Sequence, residues 1–271
     1  MSMSRGAACA ELRPGWRHEE RSAIEGSKVG TVSSPVFVLL TMERLILFDI
    51  DGTLTRTQNG YLPFNDAILK TFEFAGDIRT VVPDGNTDPL IVRDIFMKAG
   101  RQMIVDPAQW ERFTSQLRAS YREHVACGAT TIRALPGADA LLQHLSAMSD
   151  FHSSVVTGNF EMTALVKLES AGLATYLSRG AYASDSQHRS DLPLIARERW
   201  ESASGRNMAA AQCVIVGDTP KDLECARANG MKCVLVGTGR YPVEELEYWR
   251  PDACLPDLTD TQRVVKLLAS L

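Results

Sequence analysis

The chain has 271 residues, 45% of them hydrophobic and 23% charged, with a formal net charge of −4. That balance suits a soluble globular protein of one or two domains and leaves no basic footprint for nucleic acid or an anionic membrane. No apolar stretch is long enough to span a bilayer, and the six cysteines form neither a Cys-x-x-Cys pair nor a zinc-ligand pattern, as expected of reduced thiols in a cytoplasmic protein.

Residues 1–41 are rich in Ser, Gly, Arg and Glu and lack periodicity. Glu11, Glu19, Glu20 and Glu25 argue against a transit peptide, and Val36–Leu40 is short for a signal-peptide core. This segment reads as a disordered N-terminal extension or a product of start-site choice. The first convincing strand is Leu45–Phe48, which delivers Asp49 and Asp51 onto a glycine turn at Gly52. From Thr55 to Leu135 no strand is predicted, only helices over Asn65–Ala75, Pro89–Ala99 and Pro107–Cys127. A helix over Ala138–Met148 then begins an alternation: strand Ser154–Val156, helix Phe160–Ala171, strand Gly180–Ala183, helix Asp191–Ser202, strand Cys213–Val216, helix Lys221–Asn229 and strand Lys232–Val236. Strands alternating with helices predict an α/β fold, a Rossmann-like parallel sheet flanked by helices on both faces. The expected division is a core of residues 42–55 and 136–271, with 56–135 an all-helical insertion above the carboxyl ends of the strands, where open α/β sheets bind ligands.

The chemistry concentrates at three strand ends. Side chains alternate along a strand, so Asp49 and Asp51 fall on the same side, and two carboxylates that close need a cation or a proton between them. Asp49 can attack phosphorus as a nucleophile, and Asp51 can protonate the leaving oxygen and then deprotonate water. Gly52 permits the turn and Thr53 can fix it. Val214–Val216 leads into Gly217-Asp218-Thr219-Pro220-Lys221-Asp222, which adds further acids, although a helix cap and a first-turn acid would look the same. Such a cluster, poor in His and Cys, suits Mg²⁺, a hard cation that prefers oxygen ligands. Thr157, Gly158 and Asn159 can cradle phosphate at a helix N-terminus, or form a plain cap. For the positive group the candidates are Arg179 and Arg189; His188 reads as a surface histidine.

In this order, Asp49-Ile-Asp51-Gly-Thr, Thr157-Gly-Asn, a basic residue and Gly217-Asp-Thr-Pro-Lys-Asp222 resemble the motifs of the haloacid dehalogenase-like hydrolase superfamily, phosphoglycolate-phosphatase-like branch. The resemblance covers about residues 43–257. It implies that Asp49 is the nucleophile, Asp51 the acid and base, and that Thr157 binds the phosphoryl group. Asp49, Asp51 (through its backbone carbonyl) and Asp218 would hold Mg²⁺, with Asp222 beside them. It also implies that the helical insertion is a cap closing over the substrate, its Gly85-Asn86-Thr87-Asp88 loop facing the site and Asn86, Thr87 and Arg93 as specificity candidates. The family's third motif is usually lysine, but no Lys lies between Ala174 and Pro220, so Arg189 takes that role.

The expected activity is a Mg²⁺-dependent phosphatase acting on a small phosphorylated metabolite through an aspartyl phosphate. Asp51 argues against carbon–halogen cleavage, which needs no acid for a departing alkoxide. A phosphomutase and a catalytically silent binding protein on the same fold are the alternatives. A monomer is favoured because no amphipathic seam is left over.

Overall fold

The computed structural model describes residues 42–103 and 106–271; the N-terminal extension expected over 1–41 lies outside them. The strands are β1 (Arg44–Phe48), β2 (Thr55–Gln58), β3 (Thr131–Ala134), β4 (Phe151–Val156), β5 (Ser178–Ala181), β6 (Cys213–Gly217), β7 (Lys232–Val236) and β8 (Ala253–Leu255). The helices are α1 (Tyr61–Phe72), α2 (Asp88–Lys98), α3 (Pro107–Ala126), α4 (Ala138–Ser146), α5 (Glu161–Ser170), α6 (Leu192–Ser204), α7 (Pro220–Ala228), α8 (Val243–Tyr248) and α9 (Thr261–Ser270).

Six strands form one parallel sheet in the order β5-β4-β1-β6-β7-β8. β1 is central, and all five of its residues are buried. Ile46 and Phe48 pack on one face with Leu141 and Leu145 of α4 and Leu268 of α9. Leu45 and Leu47 pack on the other with Leu192 and Ala196 of α6 and Leu223 of α7. Burial on both faces explains why β1 reads as a continuous apolar run, and each such side chain contributes about 1.5–3 kcal/mol.

The order β4-β1-β6 matters for function. Phe48 pairs with Val155 on one side and Val216 on the other, so the three motif-bearing strands end side by side.

Three helices of the insertion, α1, α2 and α3, enclose a core of their own around Phe64, Ile68, Ile95, Phe113 and Leu117. α3 starts where Asp106 caps Gln109, the Gln109 amide donating to Asp106 Oδ1 at 2.7 Å and its side chain accepting from the Asp106 N–H. Pro63 lies in the first turn of α1, where its missing N–H costs nothing. Phe160, at the start of α5, joins this core with its ring 6.1 Å from Phe113.

Two features correct the expected elements. The region between Thr55 and Leu135 is not wholly helical: β2 and β3 pair antiparallel, Thr55 with Ala134 through Gln58 with Thr131, into a two-stranded ribbon through which the chain leaves and re-enters the core. These strands are polar and four residues long, too short for an alternation signal. The sheet also gains β8, three residues of ordinary composition.

Candidate active site

Asp49 follows β1 directly, its N–H donating to the Val216 carbonyl at 2.9 Å, and it is buried. The chain then turns hard: the amides of Thr53, Leu54 and Thr55 all donate to the Ile50 carbonyl. Gly52 takes φ +84°, and a Cβ there would collide with the Asp218 carboxylate. Glycine is therefore required twice over, for conformation and for close approach. Asp218, leaving β6, is buried against this turn and accepts from Thr53 Oγ1 at 3.3 Å.

Asp222 lies one turn into α7. Its Oδ2 accepts from the N–H and hydroxyl of Thr219, at 3.0 and 2.7 Å, capping the helix. Its Oδ1 accepts from Arg189 at 2.6 Å, and the same guanidinium lies 3.1 Å from Asp49 Oδ1. Arg189 thus bridges Asp49 and Asp222, with its Nε buried and without a partner among the described residues.

Carboxylate oxygens of Asp49, Asp218 and Asp222 all lie within 4.8 Å of one another. Burial first, then the neighbouring Asp222 and Asp51, raises Asp49 to about 7 against the pull of Arg189. Burial and the Asp49 charge raise Asp218 to about 9. These acids are short of positive charge, and hard oxygens at this spacing fit a divalent cation such as Mg²⁺. Both Asp222 oxygens already hold protein donors, whereas Asp49 and Asp218 keep lone pairs open. The Asp51 carboxylate stands outside the cluster.

Asp51 is engaged elsewhere. Its Oδ2 accepts from Lys167 Nζ at 2.6 Å and from Asn159 Nδ2 at 2.8 Å. Asn159 also donates to Thr157 Oγ1 at 2.8 Å and accepts from Lys167 at 2.7 Å. Burial works against the Lys167 charge, but Asp51, Tyr121 and Asp88 outweigh it and hold the ammonium above its ordinary range.

Lys167 was not among the residues expected from sequence. The signal was its place on α5: Phe160, Thr163, Ala164 and Lys167 share one helical face, and all four are buried. Arg179, the other basic candidate, pairs with Glu161 at 3.1 Å, and His188 is exposed, as expected of a surface histidine.

A cavity of about 340 Å³ joins these groups, lined by Asp49, Asp51, Thr157, Lys167, Arg189 and Asp218 below and by Tyr61, Arg79, Asn86 and Tyr121 from the helical insertion above. The 84–88 loop closes one side. Its Asp88 N–H donates to the Gly158 carbonyl at 2.7 Å, the Asp88 carboxylate accepts from the Phe160 N–H at 2.8 Å, and Asn86 accepts from Lys221 at 2.8 Å. Gly158 is where the two layers touch: a Cβ would collide with the Asn86 carbonyl. Burial raises Asp88 to about 7, with Lys167 pulling the other way.

Two expected specificity residues do not reach the cavity. Thr87 is fully buried with its hydroxyl on the Gln187 carbonyl at 2.8 Å, so it fastens the loop. Arg93 is exposed on the outer face of α2 and pairs with its neighbour Asp94. Arg79 and Tyr61 take the places expected of them, the guanidinium 4.2 Å from the Tyr61 ring centroid.

Similarity to known proteins agrees with this geometry. A family model described as haloacid dehalogenase-like hydrolase matches residues 46–227, and a second, HAD-hydrolase-like, matches 194–261. The "Probable phosphatase IndB" of Dickeya dadantii (strain 3937) is 27% identical over 236 residues, covering 85% of this chain and 96% of its own. The phosphoglycolate phosphatase of Rhodospirillum rubrum is 29% identical over 218 residues, covering 76% of this chain and 85% of its own. Among solved structures, a hydrolase from Pseudomonas syringae superimposes with a TM-score of 0.60 at 22% identity, over 83% of this chain and 98% of that one. With a matching model over most of its described length and the motif carboxylates gathered at the ends of the adjacent strands β1 and β6, the chain belongs to the haloacid dehalogenase-like hydrolase family.

Proposed function

We propose that this hydrolase is a Mg²⁺-dependent phosphatase that cleaves a small phosphomonoester through an aspartyl phosphate. The observation that carries the reading is the meeting of Asp49, Asp218 and the Arg189–Asp222 pair at the ends of β1 and β6, at the floor of a cavity. Its volume, about 340 Å³, suits a small metabolite. The similarity to named phosphatases, including phosphoglycolate phosphatases, supports the same class of substrate.

In this reading the Asp49 carboxylate attacks phosphorus and forms the acyl phosphate. Thr157 and Arg189, which both line the cavity, receive the transferring oxygens. Asp51 protonates the departing oxygen, then takes a proton from the water that hydrolyses the intermediate. Asp49 and Asp218 would hold the Mg²⁺, with the backbone carbonyl of Asp51, and Asp222 would act from behind by holding Arg189. When bound, the ion supplies charge neutralisation between the carboxylates and the phosphate. Residues 56–135 act as the cap: closed, they exclude water from the first step, and their opening exchanges product for substrate. Such a protein would work in the cytoplasm, and no helix among the described residues is long and apolar enough to cross a membrane.

The test is phosphate release from a panel of phosphorylated metabolites. Asp49→Asn is expected to abolish release while leaving the fold intact, and chelation by EDTA to silence the wild type until Mg²⁺ returns. Turnover retained in the variant would sink the nucleophile assignment; full activity after chelation would remove the metal. Phosphate handed to a second sugar hydroxyl rather than to water would mark a mutase.

A further inference from the structure

We infer that Lys167 is a positioning residue that fixes the Asp51 carboxylate by one oxygen so that the other is presented for proton transfer. This rests on the reading of Asp51 as acid and base given above.

Lys167 is only 5% exposed, a burial that lysine rarely tolerates without partners. Its partners form a closed triangle. Nζ donates to Asp51 Oδ2 at 2.6 Å and to Asn159 Oδ1 at 2.7 Å, and Asn159 Nδ2 returns to the same Asp51 oxygen at 2.8 Å. Both donors land on Oδ2. Among the described residues no side chain donates to Oδ1.

A carboxylate held by one oxygen from two directions cannot rotate freely. The oxygen that gives and takes the proton is then always the same one, at a fixed place relative to Asp49. The support is rigid because Ala164 and Leu168 of α5 pack into the main core and Val166 into that of the insertion. Two of the three ammonium donors are committed to Asp51 and Asn159, and the Tyr121 ring lies 5.5 Å from Nζ, so little of the group is free to bind substrate.

The experiment compares two esters whose leaving groups differ in their need for a proton. An alkyl phosphate must have its leaving oxygen protonated; p-nitrophenyl phosphate departs as a stable phenolate. Lys167→Met is expected to lower kcat on the alkyl ester by about ten- to a hundredfold, with KM changed by less than about twofold and the pre-steady-state phenolate burst within about threefold of wild type. Lys167→Arg keeps the charge but cannot seat it at the same point, so it is expected to fall between, with the same split between esters. If Lys167→Met does not fold, Lys167→Arg carries the comparison alone. Equal losses on both esters would overturn the inference, since that is what a merely structural lysine produces. Asp51→Asn is the reference and should show the split in full. A split there without one in the Lys167 variants overturns the role of Lys167 alone. The alkyl ester is one that the wild type cleaves in the metabolite panel, and no split in Asp51→Asn removes the acid role of Asp51 and the Lys167 role with it.

Discussion

Asp49 and Asp51 stand one residue apart and live in opposite surroundings. On the Asp49 side, burial and two further carboxylates leave negative charge unbalanced, with Arg189 the only cation in contact among the described residues. On the Asp51 side, a lysine and an amide hold a single carboxylate, and the side chain is 42% exposed to the cavity. The difference teaches how one strand end can supply two chemistries. A nucleophile needs an orbital free and its charge stabilised only when a cation and phosphate arrive; an acid and base needs a fixed direction and access to water. In the proposed mechanism the neighbours, rather than the aspartates themselves, divide the labour.

Four changes would break or sharpen that contrast. The largest effect is expected from Asp218→Asn, which removes one of the two open carboxylates of the cluster. Phosphate release should fall by about 10³-fold or more at ordinary Mg²⁺ and be partly restored at high Mg²⁺, readable by titrating activity against the metal. A variant with wild-type Mg²⁺ dependence would show that the acids do not share an ion.

Arg189→Met comes next. It leaves Asp49 and Asp222 facing each other without their shared cation, so kcat is expected to drop about 10²-fold and thermal stability to fall as well. The corresponding removal on the other side, Lys167→Met, should be milder and selective for poor leaving groups. Equal behaviour of the two cations would erase the contrast.

The smallest effect concerns Asp88, which faces Lys167 from the insertion. Its pKa is raised to about 7, above an unfolded value of about 4. The folded state therefore holds the proton more tightly than the unfolded one. The stability this contributes is fully present below about pH 4 and is lost as pH rises through about 7. Asp88→Asn, which keeps an acceptor for the Phe160 N–H, is expected to flatten that part of the thermal-melting profile. An unchanged slope between about pH 4 and 7 would assign the pH dependence to other groups.

How much of this was legible in the sequence follows from where information is local. Asp49, Thr157 and Asp218 each follow an apolar run, and the rule that parallel strands deliver their ends to one edge places them together from the sequence alone. Arg189 was found by its position in the chain order of the motifs. Lys167 was not, because a lysine in an amphipathic helix usually reaches solvent, and only the packing of α5 under both layers denies it that exit. Thr87 and Arg93 failed for a related reason. The residues of the insertion that face the cavity depend on how its helices rotate, and no local pattern fixes that rotation; Thr87 turned toward Gln187 and Arg93 toward water. The ribbon and β8 escaped because short polar or mixed strands acquire their pairing from partners remote in the chain.

That ribbon sets the mechanics of the site. Two strands bonded side by side over four residue pairs bend together, but neither can slide past the other without breaking the ladder. Both passages of the chain between the core and the helical layer run through this ribbon. The ribbon is also bonded directly to the motif turn, because Thr55, the first residue of β2, donates its N–H to the Ile50 carbonyl at 2.8 Å. Ile50 lies between the two aspartates. If the helical layer moves as the proposed cap, the ribbon carries that movement to the peptide that spaces Asp49 from Asp51.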